Sequence, residues 1–132
     1  MPGTHVLIVD DNPTNLKLLR IILEEEGYDV ATANDAEEAL RRLAHAKPRM
    51  ILMDIQLPGI DGLELTRRLK ADPEYADIVI IALTAYAMKG DEEKARAAGC
   101  DGYITKPIDA EQLPLTLAAY LGAAAAPAAI KG

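Results

Sequence analysis

Five residues suited to phosphate and metal chemistry recur along the chain, each placed just after a short apolar run. Asp10 and Asp11 follow Val6–Val9, Asp54 follows Met50–Met53, Thr84 follows Ile78–Leu83, and Lys106 follows Tyr103–Thr105. If those runs are parallel strands, their carboxyl ends share one edge, and open parallel sheets bind ligands there, near the point where strand order reverses. Three carboxylates, a hydroxyl and an ammonium then converge from four separate segments, which no local turn or helix rule requires. Crowded carboxylates repel one another unless a cation sits among them. Oxygen ligands without His or Cys favour Mg²⁺, with Mn²⁺ as an alternative, and Mg²⁺ takes only one or two protein carboxylates beside its waters. One acid is then free to act as a nucleophile while the metal offsets the charge of an incoming phosphoryl group. Lys106 adds a point charge for a phosphoryl oxygen and Thr84 a hydrogen bond. Phosphoryl transfer needs little beyond positioning and charge stabilisation, and this set offers both.

The elements that must position these residues are legible as alternating strands and helices. Val6–Val9 is uniformly apolar and rich in β-branched residues, as in a strand covered on both faces. Asn12 offers a helix N-cap, Pro13 suits the first helical position, and Leu16, Leu19, Ile22 and Leu23 form a buried stripe that Gly27 ends. Val30–Ala33 makes a weaker second strand. Asn34 or Asp35 caps a second helix, expected to turn Ala36, Ala39, Leu40 and Leu43 inward. After the third strand and the turn at 57–62, a helix carries Leu65 and Leu69 on one face. A fourth helix opens at Gly90–Glu93, with acids where the helix dipole favours them, and ends at Gly99. A last helix runs to about Leu121, with Pro114 just past its first turn, so that it either starts late or kinks there. Five β-α units without a long insertion predict an α/β, flavodoxin-like (βα)5 sandwich. Its five-stranded parallel sheet takes the order 2-1-3-4-5, with helices on both faces. Residues 1–122 form the domain, and 123–132 read as an Ala- and Pro-rich flexible tail.

Composition narrows the function further. The 132 residues fit one domain, half apolar and 27% charged, a globular balance. Acids outnumber Lys and Arg 21 to 14, for a net charge of −7, so nucleic acid is not an expected partner. The single cysteine, Cys100, excludes an internal disulfide and a multi-thiolate metal site. The longest strongly apolar run falls far short of the roughly 20 residues of a membrane span, so no membrane association is expected. No basic region precedes the first apolar stretch, which runs straight into Asp10 and Asp11; a cytoplasmic location is the expectation.

Four motifs in this order give the chain a family resemblance. They are Val-Asp-Asp-Asn at 9–12, Leu-Met-Asp-Ile-Gln-Leu-Pro-Gly-Ile-Asp-Gly at 52–62, Leu-Thr-Ala at 83–85 and Thr-Lys-Pro at 105–107. With them the chain resembles the receiver domains of two-component response regulators over about residues 5–121. The stretch Thr84–Glu93 is in the style of stand-alone regulators and of receivers of hybrid kinases. The resemblance implies a single-domain response regulator in phosphorelay signal transduction. Asp54 would accept a phosphoryl group from a phosphohistidine on a histidine kinase or a histidine phosphotransfer protein. Asp11, Asp54 and the Gln56 main-chain carbonyl would ligate Mg²⁺, and Asp10 would act through a metal-bound water. Lys106 would contact the phosphoryl group, and the Lys106–Pro107 peptide would be cis. Thr84 and Tyr103 would form a switch pair. Together they would change a protein-binding face built from the fourth helix, fifth strand and last helix, including Ala87, Met88, Lys89 and Ile104. Gln56 and Tyr86, two residues past Asp54 and Thr84, fall where the family tunes phosphate lifetime. Such a module is a phosphoacceptor, not an enzyme, beyond self-catalysed phosphotransfer and autodephosphorylation.

Each residue alone has a plainer reading. Paired acids after a strand are usually solvated, a Tyr opening an edge strand usually packs, and Lys-Pro is commonly a loop. His5 and His45 read as scaffold far from the acids, and Cys100 as a small packed thiol. Among other functions, a Mg²⁺-dependent aspartyl phosphatase of the haloacid dehalogenase type would carry a second Asp two residues past the nucleophile. Gln56 stands there and cannot shuttle a proton. Flavin binding would place phosphate against Asp10 and Asp11 instead of a hydroxyl- and Gly-rich loop. A receiver-like module that no longer signals would have lost an acid or the Lys, and none is lost. A receiver segment of a hybrid histidine kinase is a further alternative.

Overall fold

The computed structural model describes residues 4–55, 62–84, 89–105 and 108–125. The elements alternate: β1 (His5–Val9), α1 (Pro13–Glu25), β2 (Asp29–Ala33), α2 (Ala36–His45), β3 (Met50–Asp54), α3 (Gly62–Ala71), β4 (Val79–Thr84), α4 (Lys89–Ala98), β5 (Gly102–Thr105) and α5 (Gln112–Ala125). All four strand pairings are parallel, and the sheet runs β2-β1-β3-β4-β5. The expected order is therefore the observed one. The chain steps outward from β1 to β2, then returns across β1 to β3, so the order reverses between β1 and β3.

Strand alternation divides the core into two layers. Val6 and Ile8 of β1, Met50 and Leu52 of β3, and Ile81 and Leu83 of β4 pack with Leu16, Leu19, Ile22 and Leu23 of α1 and with Leu113, Leu117 and Leu121 of α5. Leu7 and Val9, Ile51 and Met53, and Ile80 and Ala82 face α2, α3 and α4. The central strands are buried on both sides, which is why they read as continuous apolar runs. The side chain of Asn12 accepts from the Thr14 and Asn15 amides and caps α1, with Pro13 at its first position. At its far end Gly27 takes a φ of 92°, and the Tyr28 amide reaches back to the Leu23 carbonyl at 3.1 Å, closing the helix with a glycine stop. Asp35, not Asn34, caps α2 through the Glu38 amide at 2.8 Å.

Two details depart from the sequence reading, and one alternative it left open is settled. Leu40 is 41% exposed, because α2 buries the i, i+3, i+7 line of Ala36, Ala39 and Leu43 and leaves Leu40 at its rim. The last helix does start late, at Gln112, with the Asp109 carboxylate accepting from the Glu111 and Gln112 amides. Pro114 thus falls in the first turn, where its missing N–H costs nothing. That helix also continues to Ala125 instead of stopping near Leu121, because alanine, the best helix former, follows Gly122.

At the edge opposite the acids, Lys70 ties α3 to the sheet. Its Nζ donates to the Ile78 carbonyl at 2.7 Å and to Asp101 Oδ2 at 2.9 Å, and Asp101 Oδ2 also accepts from the Ile80 amide at 2.8 Å. Toward the acidic edge, α3 begins hard against β3. A Cβ added at Gly62 would fall on the Asp54 carbonyl oxygen and lie 2.8 Å from Ile55 Cα. The contact is with backbone, which cannot turn aside. Gly62→Ala should therefore lower stability by about 1–3 kcal/mol through overpacking, read as an earlier urea midpoint; an unchanged midpoint would contradict the close approach.

Burial also sets an alkaline limit. It raises the Cys100 thiol above its ordinary value, and it raises the Tyr28 phenol, with Glu26 adding to the effect. Both groups hold their protons more tightly folded than unfolded. Their contribution is whole below the ordinary thiol range of about 8.5 and is lost as pH climbs through the thiol and phenol ranges. The urea midpoint should fall between pH 8 and pH 10, to a smaller extent in Cys100→Ala; a flat profile over that window would exclude the effect.

Candidate metal and phosphoryl site

Asp10 follows β1 directly, and its amide extends the ladder by donating to the Ala33 carbonyl at 3.1 Å. Its side chain is 0% exposed, an unusual place for a carboxylate. The burial is offset by α1: the Asn12 amide donates to Asp10 Oδ1 at 2.9 Å, and Asn15 Nδ2 donates to Oδ2 at 3.4 Å. Asp11, next along the turn, is exposed. Asp54 ends β3 and is 4% exposed, and the Ile55 amide that follows is held by the Leu83 carbonyl at 3.1 Å. Because β1 and β3 are neighbours, these ends lie side by side, and one carboxylate oxygen from each of Asp10, Asp11 and Asp54 falls within 4.8 Å of the others.

Thr84 ends β4 fully buried. It has the same strand parity as Ile80 and Ala82, so it belongs to the α4 face of the sheet. Tyr103 pairs with Ala82 across the β4–β5 ladder, is half-buried, and packs on that same layer. The two residues expected to act as a pair thus share one face, on adjacent strands. The structure brings together Asp10, Asp11 and Asp54, with Thr84 and Tyr103 on the two strands beyond. Gln56, Tyr86, Ala87, Met88, Lys106 and Pro107 lie outside the described residues, so the expected carbonyl ligand, ammonium and cis peptide do too. His5 bonds Asp29 at 3.1 Å and shares a cleft of about 170 Å³ with His45 at the amino-terminal edge of β1, away from the acids. Cys100 is buried in the core layer beside Thr66.

Two contributors to the site were not read from the sequence. Asn15 looks like any polar residue in a first helical turn; the signal was its spacing of three from the Asn12 cap, which turns it back toward the strand end. Gly62 looks like the close of a turn, and its contact with the Asp54 backbone depends on how α3 returns to β3.

A set of three carboxylates with no nitrogen or sulfur ligand fits a hard, oxygen-seeking divalent cation. Among the described residues, no helix is long and apolar enough to cross a membrane. Residues 6–118 match the family model described as the response regulator receiver domain. The chain is 48% identical over 117 residues to the polar-differentiation response regulator DivK of Brucella anthropi, covering 89% of this chain and 95% of that one. Among solved structures, a CheY-like response regulator receiver domain protein from Methanospirillum hungatei superposes with a TM-score of 0.85 at 31% identity, covering 93% of this chain and 97% of that one. The receiver domain of the sensor histidine kinase PA1611 from Pseudomonas aeruginosa, with a magnesium ion coordinated in its active site cleft, gives a TM-score of 0.83 at 36% identity, covering 91% and 98%. Fold and overall sequence thus agree with these relatives, and the chain belongs to the response regulator receiver domain family of two-component systems.

Proposed function

We propose that Asp54 is the phosphoacceptor of this receiver, taking its phosphoryl group from a phosphohistidine on a histidine kinase or a histidine phosphotransfer protein. The observation that carries the reading is the convergence of Asp10, Asp11 and Asp54 oxygens within 4.8 Å at the reversal of strand order. Asp11, Asp54 and the Gln56 main-chain carbonyl would hold Mg²⁺, or Mn²⁺ in its place, and Asp10 would act through a water. When bound, the cation supplies charge neutralisation between the acids and the phosphoryl oxygens.

In the transfer, an Asp54 carboxylate oxygen attacks phosphorus, a P–O bond forms as the P–N bond breaks, and the departing imidazole nitrogen keeps the electron pair and takes a proton. Burial of Asp54 beside the sheet edge orients its carboxylate and limits access of water to the acyl phosphate. Lys106 supplies charge to a phosphoryl oxygen, and the Thr84 hydroxyl donates to another. Thr84 moving toward the phosphoryl group would open space on the α4 face for Tyr103, altering the surface of α4, β5 and α5 that a downstream protein reads. This reading makes the module a switch rather than an enzyme, places it in the cytoplasm with its kinase, and assigns residues 1–122 to the domain. The aspartyl phosphatase alternative gains nothing at Gln56, which offers no proton-shuttling carboxylate.

Incubation with acetyl phosphate and Mg²⁺ should add one phosphoryl group by intact mass, lost on chelation with EDTA and abolished in Asp54→Asn. Labelling that survives in Asp54→Asn, or turnover of small phosphate esters over many cycles, would overturn the assignment.

A further inference from the structure

We propose that the outer edge of β2 is a pairing surface for a second copy of this chain, and that Arg42 and Glu38 of α2 hold it closed.

β2 ends the sheet, with β1 on one side only. The Asp29 N–H donates inward to the Thr4 carbonyl at 2.9 Å, and the Ala33 carbonyl accepts inward from the Asp10 N–H at 3.1 Å. In a parallel strand both backbone groups of a residue point the same way, and successive residues alternate. The N–H and C=O of Val30 and Thr32 therefore face outward. A row of outward backbone groups is a template for another strand.

Two side chains of α2, one turn apart, occupy the carboxyl-terminal half of that edge. Arg42 Nε donates to the Thr32 carbonyl at 3.2 Å, and Glu38 Oε1 accepts from the Asn34 N–H at 2.8 Å. Arg42 Nη2 donates to Glu38 Oε2 at 3.5 Å and so joins the two. As a half-exposed i, i+4 ion pair this contact adds little stability. Its consequence lies in where the guanidinium stands, on strand backbone that a neighbouring strand would otherwise use.

The occupant follows from symmetry. Two β2 edges can meet antiparallel about Ala31, with Val30 of each copy opposite Thr32 of the other. Each such pair exchanges both of its N–H···O=C bonds. The Thr32 carbonyl accepts one bond in each pair, so Arg42, acting in both copies, removes half of the ladder. It also presents each copy with the same positive group that it carries itself, and like charges across a strand pair are unfavourable. A contact of this kind uses the same patch on both copies and closes as a dimer.

The test is sedimentation equilibrium of the full, unphosphorylated chain in EDTA, with a thermal melt of each variant. Arg42→Met keeps the aliphatic stem and removes the donors. Arg41→Met, at the exposed neighbouring position, makes the same change in charge and apolar surface. Arg42→Met should dimerise at least about tenfold more tightly than wild type or Arg41→Met, the fold-change of one charge-assisted hydrogen bond. As its concentration rises, the Val30 and Thr32 amides should gain protection from hydrogen exchange, because their N–H groups enter the new ladder. Association no tighter than wild type overturns the proposal. So does association that Arg41→Met reproduces, or that leaves these two amides unprotected. Should Arg42→Met melt early, Arg42→Ala is read against Arg41→Ala instead: protection of Val30 and Thr32 on association supports the proposal, and its absence overturns it.

Discussion

Mutual repulsion of carboxylates is the constraint around which the acidic edge of this sheet is organised. Asp10 and Asp54 are both buried, and their oxygens fall within 4.8 Å of one another and of Asp11. At an effective dielectric near 20, two ionised carboxylates at such a separation oppose each other by roughly 3 kcal/mol. A fold selected for stability alone would not gather them. Their convergence is a direct result of parallel topology, because neighbouring parallel strands deliver their carboxyl ends to the same edge whatever residues stand there.

The same topology supplies part of the remedy. In every β-α unit the helix begins where the strand ends, so the positive ends of helix dipoles gather at this edge with the acids. The Asn12 amide at the start of α1 bonds Asp10 directly, and α3 begins at Gly62 with its backbone pressed on that of Asp54. Thr66 secures that first turn from within, its hydroxyl donating to the Gly62 carbonyl at 2.8 Å. These neutral groups help offset burial of the carboxylates without bringing a charge of their own. Lys70 and Asp101 pair at the opposite edge, where the strands begin, so the ion pair that ties α3 to β4 and the turn before β5 is kept away from the acids.

The fold was legible in the sequence because its signals are local and repeated. Buried parallel strands are short apolar runs, α1 carries its stripe, cap and stop in order, and the acids stand at the ends of those runs, where the site must be. What escaped the reading depends on distances through space. Asn15 reaching Asp10 and Gly62 meeting the Asp54 carbonyl follow from how α1 and α3 fold back on the sheet, and neither residue type announces such a contact. Leu40 failed for a different reason. The apolar pattern of α2 is wider than the groove it fills, so apolar character alone did not decide which flank is covered.

Among the described residues, α1 and α4 differ in the apolar surface they bury, and that difference bears on where a conformational signal could travel. Toward α1 the sheet grips Leu16, Leu19, Ile22 and Leu23. Toward α4, the described side chains buried from the helix are Ala95 and Ala98, which bury far less apolar surface than four large aliphatic groups. Elements with little buried apolar area open or shift at the lowest free energy. Thr84 and Tyr103 face the layer that α4 covers, on adjacent strands. In the proposed switch, a rearrangement at the end of β4 would meet less buried apolar surface among the described residues of α4 than among those of α1, whose start also holds Asp10 through Asn12 and Asn15.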